Sequence, residues 1–269
     1  MTNSLILKIC LVCLIIVNGS CSSNHNPQPK ERKLIWSDEF NYSGLPDATK
    51  WSYDIGDTDG WGNNELEYYT HADTSNAVVR NGYLYITARK QKKETRDYTS
   101  ARLITKGKGD WLYGRIEVKA KLPEGRGLWP AIWMLSTDWK YGGWPESGEI
   151  DIMENVGYNP DSVFASTHTK KFNHILGTQT TKGIEVKNLY RDFHVYAIEW
   201  NEKQIDFYID ATKYLTFKNT GKGWEEWPFD KRFHLLLNIA VGGNWGGKYG
   251  VDDSIFPQSM LVDYVRVYQ

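Results

Sequence analysis

Cysteine is scarce in this sequence and confined to one end: Cys10, Cys13 and Cys21 are the only three. From Ser22 onward no disulfide can form, although an oxidising compartment would permit one. The remainder must therefore be held by its own core, and a chain of 269 residues is long enough to bury one. Proline is sparse as well, at nine residues, which excludes a proline-rich rod. An excess of one charge is also missing. The formal net charge is −1, so nothing draws the chain toward nucleic acid or an anionic membrane surface. No apolar run reaches the roughly 20 residues that a bilayer crossing takes. The longest, Ile9 to Val17, follows the lone early charge Lys8 and precedes Gly19-Ser20. That is the layout of an export leader, residues 1–20, and not of a membrane helix.

Cys21 follows Gly19-Ser20 and precedes Ser22-Ser23, which resembles a bacterial lipoprotein processing site. Asn18 departs from the aliphatic residue usual there. The expectation is an exported protein, held at the cell envelope by lipid on Cys21 and otherwise secreted. Residues 21–32 are polar, carry two prolines and read as a tether. With no second linker and no repeat after Leu34, residues 33–269 are expected to form one domain, acting as a monomer.

What is abundant is aromatic: 12 Trp and 17 Tyr. Aromatics favour strands and fill cores, and tryptophan faces also stack on sugar rings. Period-2 alternation dominates the pattern. Leu84, Ile86 and Ala88 alternate with Tyr83, Tyr85 and Thr87, and Ile116, Val118 and Ala120 with Arg115, Glu117 and Lys119. Residues 193–200 and 204–210 flank a short Asn201-Glu202-Lys203 turn. At the end, Leu261, Asp263, Val265 and Val267 alternate with Val262, Tyr264, Arg266 and Tyr268. No segment sustains a helical period. These patterns predict an all-β fold of antiparallel sheets, a sandwich or jelly roll whose concave face can receive a long polymer.

The sharpest signal is Glu149-Ile150-Asp151-Ile152-Met153-Glu154. In a regular strand Glu149 and Asp151 share a face, while Glu154, five residues on, points into the core. An unpaired buried carboxylate costs about 3–5 kcal/mol. A β-bulge in the Ile152-Met153 stretch absorbs one residue and returns Glu154 to the face of the other two. A solvated acidic face or a cation site would have no need of such a bulge. Paired carboxyls about 5–5.5 Å apart are what retaining glycosidases use. Same-face neighbours on a strand lie roughly 6–7 Å apart at Cα, so modest convergence brings Glu149 and Glu154 into range. Asp151 between them can share protons with Glu149.

The surroundings of this strand resemble glycoside hydrolase family 16, and within it the laminarinase-like endo-β-1,3-glucanases. The resemblance rests on Leu128-Trp129-Pro130-Ala131-Ile132-Trp133-Met134-Leu135, on Trp144-Pro145 with Gly148-Glu149, on Trp61 to Tyr69, and on Val262 to Tyr268. It implies a concanavalin-like β-jelly-roll with an open cleft. The implied activity is retaining endo-hydrolysis of β-1,3-glucan, with Glu149 as nucleophile, Glu154 as general acid/base and Asp151 assisting. It further implies sugar contacts from Asn63, Glu65 and Arg102, and from Trp129 and Trp133 on the glycone side. His168 is implied beside the acids, and Trp245, in a glycine-rich loop, on the aglycone side. A structural calcium on the convex face would take Glu39, the Gly82 carbonyl and Asp263, away from catalysis. Catalysis itself calls for no cofactor.

Other readings remain open at this point. A glycan-binding jelly roll without catalysis needs the aromatics but not two paired glutamates. Within the family, mixed-linkage glucans or marine galactans are alternative substrates, and a sugar can intercept a covalent intermediate in place of water. A metal-dependent enzyme lacks the usual clustered histidines in the sequence.

Overall fold

In a computed structural model that describes Met1 and residues 32–269, alternation becomes two stacked sheets. The leader, Cys21 and residues 21–31 lie outside the described residues. Arg32–Gln269 forms one compact unit, and its first residue, Arg32, is paired with Glu199 at 2.6 Å.

The outer, site-free sheet has ten strands. At its centre Gln258–Tyr268 lies between Gly114–Lys121 and Tyr83–Lys93, each pair antiparallel. The predicted alternations hold there: Leu84, Ile86, Ala88, Ile116, Val118 and Ala120 are all fully buried. The final strand departs from strict alternation. Met260, Val262, Val265 and Val267 are buried, and the register slips between Val262 and Tyr264. The expected face of Leu261, Asp263, Val265 and Val267 is therefore corrected. A bulge at Asp263 absorbs one residue and flips the parity upstream of it. One pairing is parallel rather than antiparallel, Glu67–Tyr69 beside Arg96–Ser100.

The second sheet has eight strands and carries the site. Its spatial order includes Thr180–Glu185, Ser162–His168, Glu149–Glu154, Leu128–Ser136, Phe233–Val241, Arg102–Ile104 and Ser52–Asp54. One face packs Ile132, Met134, Ile150, Ile152, Met153, Leu235 and Leu237 into the core between the sheets. The opposite face carries the polar and aromatic side chains of the cleft. Among the described residues helical structure is limited to two short turns, Gly60–Asn64 and Asp253–Ile255. The first is an irregular turn in which Trp61 and Gly62 have positive φ, 52° and 79°. It lays Trp61 and Asn63 on the cleft rim.

Candidate active site

The acidic strand pairs with both neighbours, and its registers locate the bulge. Against Ser162–His168, Glu149 faces His168, Asp151 faces Ser166 and Glu154 faces Phe164. Three steps on one strand thus match two on the other. Against Leu128–Ser136, Asp151 meets Trp133 and Met153 meets Ile132, so Ile152 is the residue left over. Ile152 and Met153 are both fully buried. Two consecutive core-facing residues return Glu154 to the cleft.

Each glutamate has its own indole donor. Trp144 donates Nε1–H to Glu149 Oε2 at 2.6 Å, and Trp129 donates Nε1–H to Glu154 Oε1 at 3.0 Å. Asp151 is the most deeply buried of the three acids, shares a hydrogen bond with Glu149, and has His168 Nε2 3.2 Å from its Oδ2. Burial and the charge of Asp151 push Glu149 up to about 8, against the pull of His168 and Trp144. Burial and the charge of Glu149 push Glu154 up to about 8, opposed by Trp129. Burial and the charge of Glu154 hold Asp151 well above the ordinary carboxylate range. Three carboxyls in one pocket cannot all ionise, so the cluster holds protons near neutrality. Glu149, Asp151 and His168 also bring potential ligand atoms within 4.8 Å of one another. That arrangement could take a cation as well as share a proton.

The cleft has two basins that meet at the glutamates, of about 650 and 330 Å³. Trp133 and Arg102 line only the larger. The Arg102 guanidinium is stacked between Trp61 and Trp133, 4.5 and 4.6 Å from the two rings, and is paired with Asp54 at 3.0 Å. Trp133 Nε1–H donates to Asn238 Oδ1 at 2.7 Å. Glu65 belongs to the same basin, with Asn63 donating to its Oε1 at 3.2 Å. Asn63, Trp129, Glu149 and Glu154 border both basins. His168 and Trp245 line the smaller one, where Trp245 stands edge-on to Trp129 and Phe164. All ten predicted catalytic and sugar-contacting residues therefore converge on one cleft.

Several cleft residues had not been singled out. Trp144, Trp139, Trp61, His174, Asn238 and Asn244 line it too. Trp144 stood in the sequence five residues before Glu149, but no rule of spacing predicts that its N–H reaches that carboxylate. His174 lies on a loop, its ring 4.9 Å from that of Trp144 and 5.3 Å from that of His168. Burial and His168 hold it below the ordinary histidine range.

The expected calcium ligands sit elsewhere. Asp38 pairs with Val265 and Leu84 with Val262, so Glu39 and Gly82 flank the stretch of strand that carries Asp263. Glu39 is held by Arg266 at 2.9 and 2.8 Å, and Asp263 lies 2.7 Å from Lys119. These pairs are about a third exposed and worth about 0–1 kcal/mol. Two carboxylates and a carbonyl are the donor types that a hard dication takes.

The sequence model described as Glycosyl hydrolases family 16 matches residues 64–266. The chain is 52% identical over 266 residues to a beta-glucanase of Rhodothermus marinus, covering 96% of this chain and 93% of that one. Among solved structures it is similar to the laminarinase from Rhodothermus marinus, with 54% identity and a TM-score of 0.87 over 89% of this chain and 98% of that one. It is similar too to a variant of SCLam, a non-specific endo-beta-1,3(4)-glucanase co-crystallized with 1,3-beta-D-cellotriosyl-glucose. There the identity is 44% and the TM-score 0.86, over 90% of this chain and 96% of that one.

Proposed function

The chain belongs to glycosyl hydrolases family 16, and from that premise we propose that it is a retaining endo-glycosidase that hydrolyses β-1,3-glucan through a covalent glycosyl-enzyme intermediate. The observation that carries the reading is the pair of glutamates on one bulged strand, each with an indole N–H on its carboxyl group. A glycan-binding surface needs the tryptophans but no coupled carboxyl pair. Indole donors aimed at both glutamates suit acceptor and proton chemistry better than ligation of a metal.

The roles are those the family resemblance implies, and the electrostatics support them. Glu149 has two groups that favour its charged form, Trp144 and His168, where Glu154 has one, Trp129, and this supports Glu149 as the anion that attacks the anomeric carbon. Burial, and then the charge of Glu149, keep the proton on Glu154, which delivers it to the departing glycosidic oxygen. Once Glu149 is esterified to the sugar its charge is gone. Glu154 then loses the part of its rise that the charge of Glu149 supplied, and becomes the base that activates water. Asp151 hydrogen-bonds Glu149 from behind, and His168 lies against Asp151. Trp133, Arg102, Asn63 and Glu65 would receive the glycone sugars, and Trp245 would stack on the aglycone side.

The test is product analysis on laminarin, lichenan, agarose and carrageenan side by side. Internal cleavage of laminarin with retained anomeric configuration is expected. Cleavage confined to agarose or carrageenan would overturn the substrate assignment. Calcium held by Glu39, the Gly82 carbonyl and Asp263 would add stability at a distance from the chemistry. The leader and Cys21 support an envelope-anchored enzyme, tested by labelled-lipid incorporation that Cys21→Ala abolishes.

A further inference from the structure

Behind the cleft floor lies a second carboxyl pair with no part in bond cleavage. Glu67 is fully buried, and Glu65, two residues earlier, opens onto the larger basin. Glu67 Oε2 accepts the backbone N–H of Val241 at 2.6 Å. Glu67 Oε1 is buried without a donor, and the carboxyl group of Glu65 is the side chain within hydrogen-bonding reach of Glu67. Glu65 accepts from Asn63 at Oε1 and from the Tyr69 hydroxyl at Oε2, both at 3.2 Å. Tyr69 in turn accepts from Asn238 at 2.9 Å, and Asn238 accepts from the Trp133 indole. A continuous hydrogen-bonded chain thus runs from the core to two cleft walls.

We infer that Glu67 is a positioning residue for sugar recognition: it is a carboxylic acid that donates its proton to Glu65 and thereby fixes Glu65 as a hydroxyl acceptor in the cleft. The inference deepens the proposed glucanase reading and rests on it. A carboxylate offers about four acceptor sites. Asn63, Tyr69 and Glu67 occupy three, and the fourth is left for a substrate hydroxyl on the open side. Two adjacent buried anions would repel, and an ionised Glu67 with only two backbone N–H donors, from Val241 and from itself, and no cation would be costly to bury. Burial first, and then the charge of Glu65, hold Glu67 well above the ordinary carboxylate range. The cations nearby act elsewhere. Arg102 is paired with Asp54, and Arg96 binds Asp57 and the backbone carbonyl of Glu65. The remaining titratable neighbour, Tyr69, is pushed up by burial and by both glutamates, against the smaller pull of Arg102 and Asn238, and stays a neutral donor.

The arrangement predicts a particular rescue. In Glu67→Gln the amide oxygen can accept from Val241 while the NH₂ donates to Glu65. Glu67→Leu removes both contacts. On a soluble β-1,3-glucan oligosaccharide, Glu67→Leu should raise KM about tenfold or more, the worth of one charge-assisted hydrogen bond, with kcat within about twofold. Glu67→Gln should keep KM within about threefold of wild type. Infrared difference spectra at neutral pH, wild type minus Glu67→Gln, should show one carboxylic-acid C=O band present only in the wild type. Melting curves identify any variant that has not folded, and the infrared band and Glu67→Gln then decide the question. An unchanged KM in folded Glu67→Leu, equal damage in both variants, loss confined to kcat, or no acid band would each overturn the inference. A wild type inactive on β-1,3-glucan would instead overturn the substrate assignment, and the infrared band would still report the proton.

Discussion

Trp129 donates its indole N–H to Glu154 at 3.0 Å while the same ring meets Trp245 edge-on at 5.5 Å. One side chain thus joins the proposed proton donor of the reaction to the wall on which the departing sugar is proposed to rest. The bond favours the ionised form of Glu154 and offsets part of what burial and Glu149 do to it. In Trp129→Phe the aromatic wall remains and the donor is lost. Glu154 should then hold its proton to higher pH, so the basic limb of the kcat/KM profile should move to higher pH while kcat falls several-fold. An unmoved basic limb would show that this contact does not tune the acid.

Glu149→Gln keeps the shape of the nucleophile and removes its charge. Turnover should fall by about a thousandfold or more, with substrate binding retained. Azide should not restore it, but should partly restore Glu149→Ala by entering the vacated space. Near-wild-type hydrolysis by either variant would sink the assignment.

Raised carboxyl groups cost stability on the alkaline side. Free in the unfolded chain, Glu154 ionises near 4.3; folded, it is pushed up to about 8. Between those values the folded state binds more protons, so stability falls as pH rises through that window. Glu154→Gln removes the titration. Its melting temperature should match the wild type near pH 4 and exceed it at pH 8–9, by roughly 2–4 °C for each kcal/mol recovered. The opposite ordering at pH 9 would mean that the glutamate is ionised at little cost.

The bulge sets the parity of the acidic strand. Deleting Ile152 or Met153 leaves E-x-D-x-E, which plain alternation places on one face. A buried side chain is lost, at about 2–5 kcal/mol, but folding and measurable activity should survive. Inserting a residue beside Met153 should turn Glu154 into the core and abolish both. Each would be compared with Glu149→Gln as the zero. A well-folded deletion variant as inactive as that control would show that the bulge aims the acid more finely than parity does.

Glu39 and Asp263 bear on calcium. If the ion displaces Arg266 and Lys119 from them, excess chelator should lower the melting temperature by several degrees, and activity below that temperature should hardly change. Coincident melting curves with calcium and with chelator would show that the ion pairs are the final state of those acids.

By itself the sequence determined the β class, the bulge and the identity of the three acids. These are local matters: side chains alternate along a strand, and Glu149, Asp151 and Glu154 can share a face only if one residue between them slips. The same alternation misread the last strand, because Asp263 lies in a bulge and no displaced charge marks it as Glu154 marks the other. Tertiary structure alone decided the partners. Trp144 reaches Glu149 through an irregular loop, His174 enters from another, and Arg102 is clasped by Trp61 and Trp133 from two separate segments. The proton on Glu67 was hidden as well. Glu65 and Glu67 read as two polar residues near a strand start until packing buries both, leaves Glu65 lining the cleft, and calls for a single proton to reconcile them.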